Sequence, residues 1–125
     1  MELGMKTRSV VPMISVADVE RSIAFYGHLG FEVENTFACE GETKPSWAWL
    51  QSGGAALMLT AEAESNTTKH TVLFYFYADD VTAARASLVD AGLNPGAIAT
   101  PFYAPQGEFE LVDPDGYIVM VSHFD

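Results

Sequence analysis

The chain carries few side chains that could bind a metal ion or act as nucleophiles. It has three histidines, His28, His70 and His123, and a single cysteine, Cys39. Cys39 stands in an acidic stretch, and acidic neighbours disfavour the reactive thiolate, so we do not expect a nucleophilic cysteine. What the histidines and a notable carboxylate, Glu110, can do depends on the strand faces that they occupy. The elements that carry them therefore have to be placed first.

Composition limits the classes of protein and the partners. A chain of 125 residues with 49% apolar and 18% charged residues suits one folded domain, 1–125. Its 17 Asp and Glu against 6 Lys and Arg give a net charge of −11. Such a charge repels phosphates and anionic lipid, so neither nucleic acid nor a membrane is an expected partner. The excess of acid serves solubility or attracts a cationic ligand, and composition leaves both open.

The expected cellular compartment follows from targeting and membrane segments that the sequence lacks. No apolar run approaches the ~20 residues that span a bilayer. The first residues have no apolar core of a secretory signal. One cysteine allows no internal disulfide. We expect a cytoplasmic protein.

An internal repeat organises the chain. An Asp-Val pair opens an apolar-periodic run at Asp18 and again at Asp80, and each run reaches a glycine, Gly30 or Gly92. The offsets agree, since 80 − 18 = 62 and 92 − 30 = 62. The aspartates suit helix N-caps and the glycines suit left-handed helix ends. The pattern predicts two copies of one unit, about 9–60 and 70–125, joined by a polar linker at 61–69.

Each copy reads as βαβββ. Strands are predicted at 9–16, 31–37, 47–51 and 55–60, and then at 71–77, 94–100, 108–112 and 117–122. One copy would leave its sheet edges unpaired, whereas two copies can pair. The predicted fold class is α+β, with helices on one face of a curved mixed sheet and a concave face, the cup, on the other.

Two motifs carry a resemblance to a known family. The segment from Ile14 to Tyr26, followed by Leu29-Gly30-Phe31, resembles the opening of proteins of the glyoxalase/bleomycin-resistance/dioxygenase superfamily, also called vicinal oxygen chelate proteins. Asp113-Pro114-Asp115-Gly116 resembles their closing signature. The resemblance implies a homodimer, in which related proteins pair modules between chains and sometimes exchange the N-terminal strand. It also implies that each half of a metal-binding member supplies ligands from its first and last strands.

Those ligand positions carry unsuitable side chains here. Matching the motifs places them at Val11, Met58, Leu73 and Met120, at spacings of 73 − 11 = 62 and 120 − 58 = 62. None offers the nitrogen or carboxylate oxygen that such a site needs, so we expect no metal and no other cofactor. The histidines do not replace them. His70 and His123 are shifted by odd numbers of residues and point to the opposite face, and His28 lies near a helix end.

The turns predict which residues face the cup. A three-residue loop at Asp113–Gly116 sets Glu110 opposite Met120, and a matching loop sets Ala48 opposite Met58. A two-residue loop would reverse the faces of strands 47–51 and 108–112. The predicted core face consists of Ile14, Val16, Trp49, Leu57, Leu59, Phe74, Phe76, Leu111, Val119 and Val121. The predicted cup face consists of Val11, Met13, Ser15, Ala48, Leu50, Met58, Leu73, Tyr75, Tyr77, Glu110 and Met120.

Three functions fit this pattern. The first is a metal-free binding protein of the bleomycin-resistance type, an antibiotic-resistance protein that sequesters a cationic or aromatic small molecule in the cup. The loop residues Phe102 and Tyr103, stiffened by flanking prolines, would cover the ligand. The second is a lyase or isomerase of the same superfamily with Glu110 as general base. The third is an interaction module whose cup is filled. The predicted ligand-binding residues are Val11, Met13, Met58, Leu73, Tyr75, Tyr77, Phe102, Tyr103, Glu110 and Met120.

Overall fold

The computed structural model describes residue 5, residues 8–62 and residues 72–124. Its elements are β1 (Met13–Val16), α1 (Val19–Gly27), β2 (Glu32–Phe37), β3 (Trp47–Ser52), β4 (Ala55–Ala61), β5 (Leu73–Ala78), α2 (Val81–Asp90), β6 (Glu108–Val112) and β7 (Ile118–His123). His70 and all but the first two residues of the predicted linker lie outside the described residues. Neither described helix is long and apolar enough to cross a membrane.

The strands form two mixed sheets. The first sheet has the order β1-β4-β3-β2, and the second has the order β5-β7-β6. The first strand of each half pairs in parallel with the last strand of that half, and the remaining pairs are antiparallel. Within the described ranges, β1 and β5 each pair along one edge only. The predicted α+β class is confirmed.

Both helices begin and end as the repeat predicts. The Asp18 carboxylate accepts a hydrogen bond from the Arg21 N–H at 3.1 Å, and the Asp80 carboxylate accepts one from the Ala83 N–H at 2.9 Å. These side chains satisfy backbone donors that have no partner inside the helix. Beyond the helix ends, Gly30 and Gly92 have φ of 93° and 88°, a conformation that side chains disfavour.

One predicted strand is wrong. Residues 94–100 form no strand, and their pairing with β6 is limited to a bridge between Ala99 and Glu108 and a 2.8 Å bond from the Gly96 N–H to the Glu110 carbonyl. Pro95 supplies no N–H for a ladder, and glycine weakens a strand. The segment therefore follows the edge of β6 without completing a fourth strand.

A single core joins both halves. The inward faces of β1, β4, β6 and β7 contribute Ile14, Val16, Leu57, Leu59, Phe109, Leu111, Val119 and Val121. Phe74 and Phe76 of β5 pack against this cluster. The core assignments made from the sequence for these four strands and for β5 are confirmed. The opposite face of each sheet, which points away from this core, is called the outer face below.

The predicted faces of β3 are wrong. Ala48 and Leu50 are buried in the core, and Trp49 instead lies opposite Met58 on the outer face. The cause is the hairpin that follows: Ser52 pairs with Ala55, which leaves a two-residue loop. The first loop residue, Gly53, has φ of 56° and the second does not have positive φ, the pattern of a type II′ turn. One residue fewer in the loop reverses every side chain of the strand.

The second hairpin has the predicted three-residue loop. The Asp113 N–H donates to the Tyr117 carbonyl at 2.8 Å, and Gly116 takes the left-handed conformation with φ of 89°. Glu110 therefore lies opposite Met120, as predicted. The two hairpins thus differ by one residue although their sequences align without a gap.

A buried cluster joins the first helix to this hairpin. The Tyr26 hydroxyl donates to the Asp113 carboxylate at 2.8 Å, and the Ala17 N–H donates to the Asp115 carboxylate at 2.8 Å. Arg21 approaches Asp115 at 3.3 Å. Burial raises the pKa of the Asp113 carboxyl and, together with the neighbouring Asp113 charge, raises that of Tyr26 well above its usual range. This cluster fixes one half of the chain against the other.

Candidate ligand-binding site

The outer face of the second sheet carries three rows of side chains across β5, β7 and β6. The rows are Leu73–Ile118–Val112, Tyr75–Met120–Glu110 and Tyr77–Ser122–Glu108. Leu73, Tyr75 and Tyr77 are 51%, 42% and 59% exposed. Their apolar surface has no cover among the described residues, and such patches on a folded chain mark interaction sites.

Aromatic and methionine side chains also occupy the outer face of the first sheet. Met13, Met58 and Trp49 stand side by side on β1, β4 and β3. The Trp49 indole N–H donates to the Gln51 side-chain carbonyl at 2.7 Å. That bond satisfies the polar edge of the indole while its ring stays half-buried on the outer face. The tryptophan belongs to the candidate site, and the two glycines of the turn were the signal that could have placed it there.

The predicted ligand-binding residues fall on different elements. Val11, half-buried, precedes β1, and Met13 and Met58 lie on the first sheet. The second sheet brings together Leu73, Tyr75, Tyr77, Glu110 and Met120. Phe102 and Tyr103 lie in the loop before β6, where Phe102 is 96% exposed and contacts the Tyr103 ring edge-to-face at 5.5 Å.

Sequence reasoning missed a second carboxylate on the same face. Glu108 is only 5% exposed, and its Oε2 accepts a hydrogen bond from the Tyr103 hydroxyl at 3.0 Å. Its Oε1 is buried and has no hydrogen-bond partner among the described residues. Glu110, which the sequence singled out, is exposed. Glu108 stands two residues before it on a strand with the predicted bounds, so alternation alone could have placed it on this face.

The tyrosines around Glu108 are coupled to one another. The hydrogen bond to Glu108 raises the pKa of Tyr103, and Tyr75 adds to that rise through its charge and a hydrogen bond. The Tyr75 and Tyr77 rings stack with centroids 6.1 Å apart. Tyr77 and Glu108 flank Ser122 in one row, and two strand spacings separate them by roughly 10 Å. The Tyr103 hydroxyl therefore contacts the carboxylate, and the stacked Tyr75 and Tyr77 rings lie on the same face of the sheet.

The turn at Gly107 holds this loop against the sheet. Its N–H donates to the Ala104 carbonyl at 3.0 Å, and its φ is 105°. An added Cβ would come within 2.9 Å of Ile98 Cγ2. Only glycine fits both the conformation and the space, so the sequence fixes the position of Tyr103 over β6.

A cleft of about 570 Å³ lies between the two halves. Its walls come from the start of β4, the length of β5, the end of α1 and one face of α2, with Phe31, Phe74, Phe76 and Leu88 among the apolar side chains. Tyr75 and Tyr77 line one side of it, so it adjoins the outer face of the second sheet. The volume falls within the range of small-molecule pockets.

The described residues hold no group of three or more His, Cys, Asp and Glu side chains that could bind a metal ion. His28 is exposed and His123 is half-buried at the end of β7. The side chains nearest to the family's ligand positions are the methionines and Leu73, which offer no hard donor. The absence of a metal stays a prediction.

Comparison with known proteins defines the family. The profile of the Glyoxalase/Bleomycin resistance protein/Dioxygenase superfamily matches residues 8–121. The chain belongs to this superfamily, which confirms the resemblance stated from its two motifs. A comparison with curated proteins gives no match.

Solved structures share the fold at low sequence identity. A bleomycin resistance determinant encoded on the transposon Tn5 is 20% identical, with a TM-score of 0.77 over 95% of this chain and 99% of that chain. A bleomycin-binding protein complexed with bleomycin is 20% identical, with a TM-score of 0.76 over 95% and 100%. The fosfomycin resistance protein FosX from Listeria monocytogenes, complexed with Mn(II) and 1S,2S-dihydroxypropylphosphonic acid, is 10% identical, with a TM-score of 0.76 over 97% and 93%. At these identities they establish the fold alone.

Proposed function

We propose that this chain is a metal-free binding protein that sequesters a cationic or aromatic small molecule on its outer face. The observation that carries the proposal is the exposed row of Tyr75 and Tyr77 beside Met120 on the second sheet. Flat rings and a flexible thioether suit a planar organic ligand, and their exposed area in the single chain is free for one. The superfamily includes bleomycin-binding proteins, which supports the same interpretation.

The charge supports a cationic ligand. With a net charge of −11, the chain raises the local concentration of cations and speeds their association. A binding protein needs affinity only, so it requires no acid-base pair. Under this proposal, Glu110 contributes to the local field instead of accepting a proton.

We also propose that the ligand site is completed in a cytoplasmic homodimer. One edge of β1 and one edge of β5 have no strand partner within the described residues, and exposed strand edges favour pairing with another chain. Met13, 55% exposed, and Leu73 place apolar surface beside these edges. Sedimentation velocity of the purified protein should give twice the mass of one chain, and a monomer at micromolar concentration would contradict this part of the proposal.

Calorimetry tests the binding function directly. The purified full chain is titrated with bleomycin and with a panel of cationic planar aromatic compounds, and at least one should bind with a Kd of about 10 μM or tighter. Tyr77→Ala should weaken that binding roughly tenfold, because it removes one stacked ring.

Val89→Ala is the matched control, because Val89 is 47% exposed but lies on α2, away from the outer face. It should leave the affinity unchanged. No binding by any compound at high micromolar concentration, or equal losses in the two variants, would contradict the proposed function.

A further inference from the structure

Glu108 has two carboxylate oxygens in unlike surroundings. Oε2 accepts the Tyr103 hydroxyl at 3.0 Å, whereas Oε1 is buried and has no partner among the described residues. The backbone of Glu108 is fully used, because its N–H and carbonyl both bond Ala99 at 2.9 Å. The backbone and Oε2 of Glu108 are thus held by hydrogen bonds, and Oε1 is an acceptor without a donor among the described residues.

An unpartnered buried carboxylate oxygen is costly for a folded chain. The first hairpin loop is one residue shorter than the second, so positions of β3 and β6 correspond at an offset of 61 residues. The position that corresponds to Glu108 is Trp47, since 108 − 61 = 47. Trp47 pairs with Thr60 as Glu108 pairs with Ser122, so packing at this place does not require a carboxylate. The same fold therefore accepts an aromatic side chain at this place. A carboxylate that the fold does not require is best explained by a group outside the chain that donates to it.

The neighbours of Glu108 indicate the charge of that group. Tyr103 contacts the carboxylate through its hydroxyl, and the exposed rings of Tyr75 and Tyr77 stack on the same face of the sheet, where ring faces attract cations. Among the described residues the ion pair joins Arg21 to Asp115, and no Lys or Arg of these residues pairs with Glu108. A donor that carries a positive charge would satisfy both the free oxygen and the rings.

We infer that Glu108 and the loop carrying Tyr103 form a cation subsite that binds an amidinium, guanidinium or ammonium group of an organic ligand. The N–H of that group donates to Glu108 Oε1, and Tyr103 acts as a positioning residue by holding Oε2. The subsite rests on the proposed function, since it would anchor the charged end of a ligand whose planar part lies on Tyr75 and Tyr77.

A pair of small probes tests the subsite without knowledge of the natural ligand. Benzamidine and its neutral analogue benzamide are titrated into the isotope-labelled full chain, and backbone amide shifts are followed by NMR. Benzamidine should bind with a Kd on the order of 1–10 mM and shift the amides of Glu108, Tyr103 and Ala99, as expected for a small fragment held by one charged bond. Benzamide should leave these amides unshifted at the same concentrations.

Two isosteric variants separate the subsite from the general negative field. Glu108→Gln should weaken benzamidine binding roughly tenfold or more, because a charged hydrogen bond is lost. Glu20→Gln removes the same charge from an exposed side chain on α1, outside the candidate site, and should change the Kd by less than about twofold. Equal losses in both variants, an unchanged Kd in Glu108→Gln, or no shift of these amides in the wild type would each overturn the inference.

Thermal unfolding distinguishes a ligand anchor from a structural carboxylate. The ligand-free Glu108→Gln variant should melt close to the wild type, because the amide oxygen still accepts the Tyr103 hydroxyl and an unpaired buried NH2 replaces the unpaired buried oxygen. A fall in Tm of more than roughly 4 °C would show that Glu108 stabilises the fold, and it would overturn the inference. The variant Tyr103→Phe, which keeps the carboxylate, should weaken benzamidine binding about threefold or more by freeing Oε2.

The outcome is independent of the calorimetric panel. If no panel compound binds while benzamidine meets these expectations, the proposed function fails and the cation subsite stands. If a panel compound binds equally well to the wild type and Glu108→Gln, the function stands and the subsite fails.

Discussion

The two halves present different chemistry from equivalent strand positions. Trp49 lies opposite Met58 in the first half, and Glu110 lies opposite Met120 in the second. Aromatic side chains thus stand in one sheet where carboxylates stand in the other. The duplicated scaffold thus carries tryptophan rings on β3 and carboxylates at the matching positions of β6, although tyrosine rings also stand on the second sheet.

The contacts between the halves differ as well. Tyr26 and Arg21 of α1 bond the Asp113–Asp115 hairpin, whereas the positions 62 residues later in α2 are Leu88 and Ala83, which have no polar atoms in their side chains. Where α2 faces the first hairpin, the structure has a cleft between α2 and β4 in place of such hydrogen bonds. One interface is closed by hydrogen bonds, and the other is left open. The interface of α1 with the second hairpin thus stabilises the fold, and the one beside α2 leaves space for a ligand.

The largest effect should come from cutting the closed interface. Asp113→Ala removes the acceptor of the Tyr26 hydroxyl and of the Asp115 and Tyr117 N–H groups, so we expect a loss of about 3 kcal/mol in the free energy of unfolding. The measurement is urea denaturation followed by circular dichroism.

The equivalent residue of the first half, 113 − 61 = 52, supplies the control. Ser52→Ala should change the free energy of unfolding by less than about 0.5 kcal/mol, because no buried cluster depends on it. Comparable losses in the two variants would show that both interfaces between the halves contribute equally to stability.

A glycine pair tests the turn that reversed β3. Gly53→Ala places a side chain at φ of 56° and should cost roughly 1–2 kcal/mol. Gly54→Ala, at a position without positive φ, should be neutral or slightly stabilising. Urea midpoints measured side by side decide the matter. The opposite ranking would mean that the loop is not the two-residue turn and that Trp49 returns to the core.

The pH dependence of stability should report the burial of Asp113. Its folded-state pKa is raised above the ordinary 3.8, so the folded chain holds this proton more tightly than the unfolded chain. The stabilisation is complete below 3.8 and is lost as the pH rises through the raised folded value. The stability of the wild type relative to Asp113→Asn should therefore fall with increasing pH, by about 1.4 kcal/mol for each unit of elevation.

Urea denaturation of both proteins between about pH 4 and pH 7 measures this difference. The subtraction removes the titration of carboxylates that the two proteins share. A difference that stays constant or grows with pH would show that the hydrogen bonds to Asp113 outweigh its burial.

The smallest effect should come from the rim of the same cluster. Arg21→Gln removes the 3.3 Å ion pair with Asp115, but the arginine side chain is 47% exposed and solvent screens it. We expect a loss of less than about 1 kcal/mol, smaller still at 1 M salt. A loss as large as that of Asp113→Ala would show that the exposed ion pair stabilises the cluster as much as the buried hydrogen bonds to Asp113 do.

The sequence predicts what local rules govern. Asp18 and Asp80 cap their helices, and the glycines that follow are left-handed, because these preferences act within a few residues. The core faces of β1, β4, β5 and β7 follow from alternation within each strand. The superfamily is predicted from the two motifs, the segment from Ile14 to Phe31 and the segment Asp113-Pro114-Asp115-Gly116.

The features that the sequence did not predict depend on contacts between distant residues or on the exact length of a turn. Ser52-Gly53-Gly54 fits either a two- or a three-residue loop, and that single residue decides the faces of β3. The burial of Glu108 depends on Tyr103, which a loop brings over the strand. The bond between Tyr26 and Asp113 joins distant parts of the chain, and residue types alone do not announce such a pair.

That last bond has a consequence for the time course of folding. Tyr26 and Asp113 are 87 residues apart, whereas the hairpins and helix caps join near neighbours, so closing this contact carries a larger loss of chain entropy. We therefore expect this contact to form late in folding, so that weakening it accelerates unfolding and leaves refolding almost unchanged. On this expectation the buried cluster governs how long the two halves stay docked after folding, more than how quickly they dock.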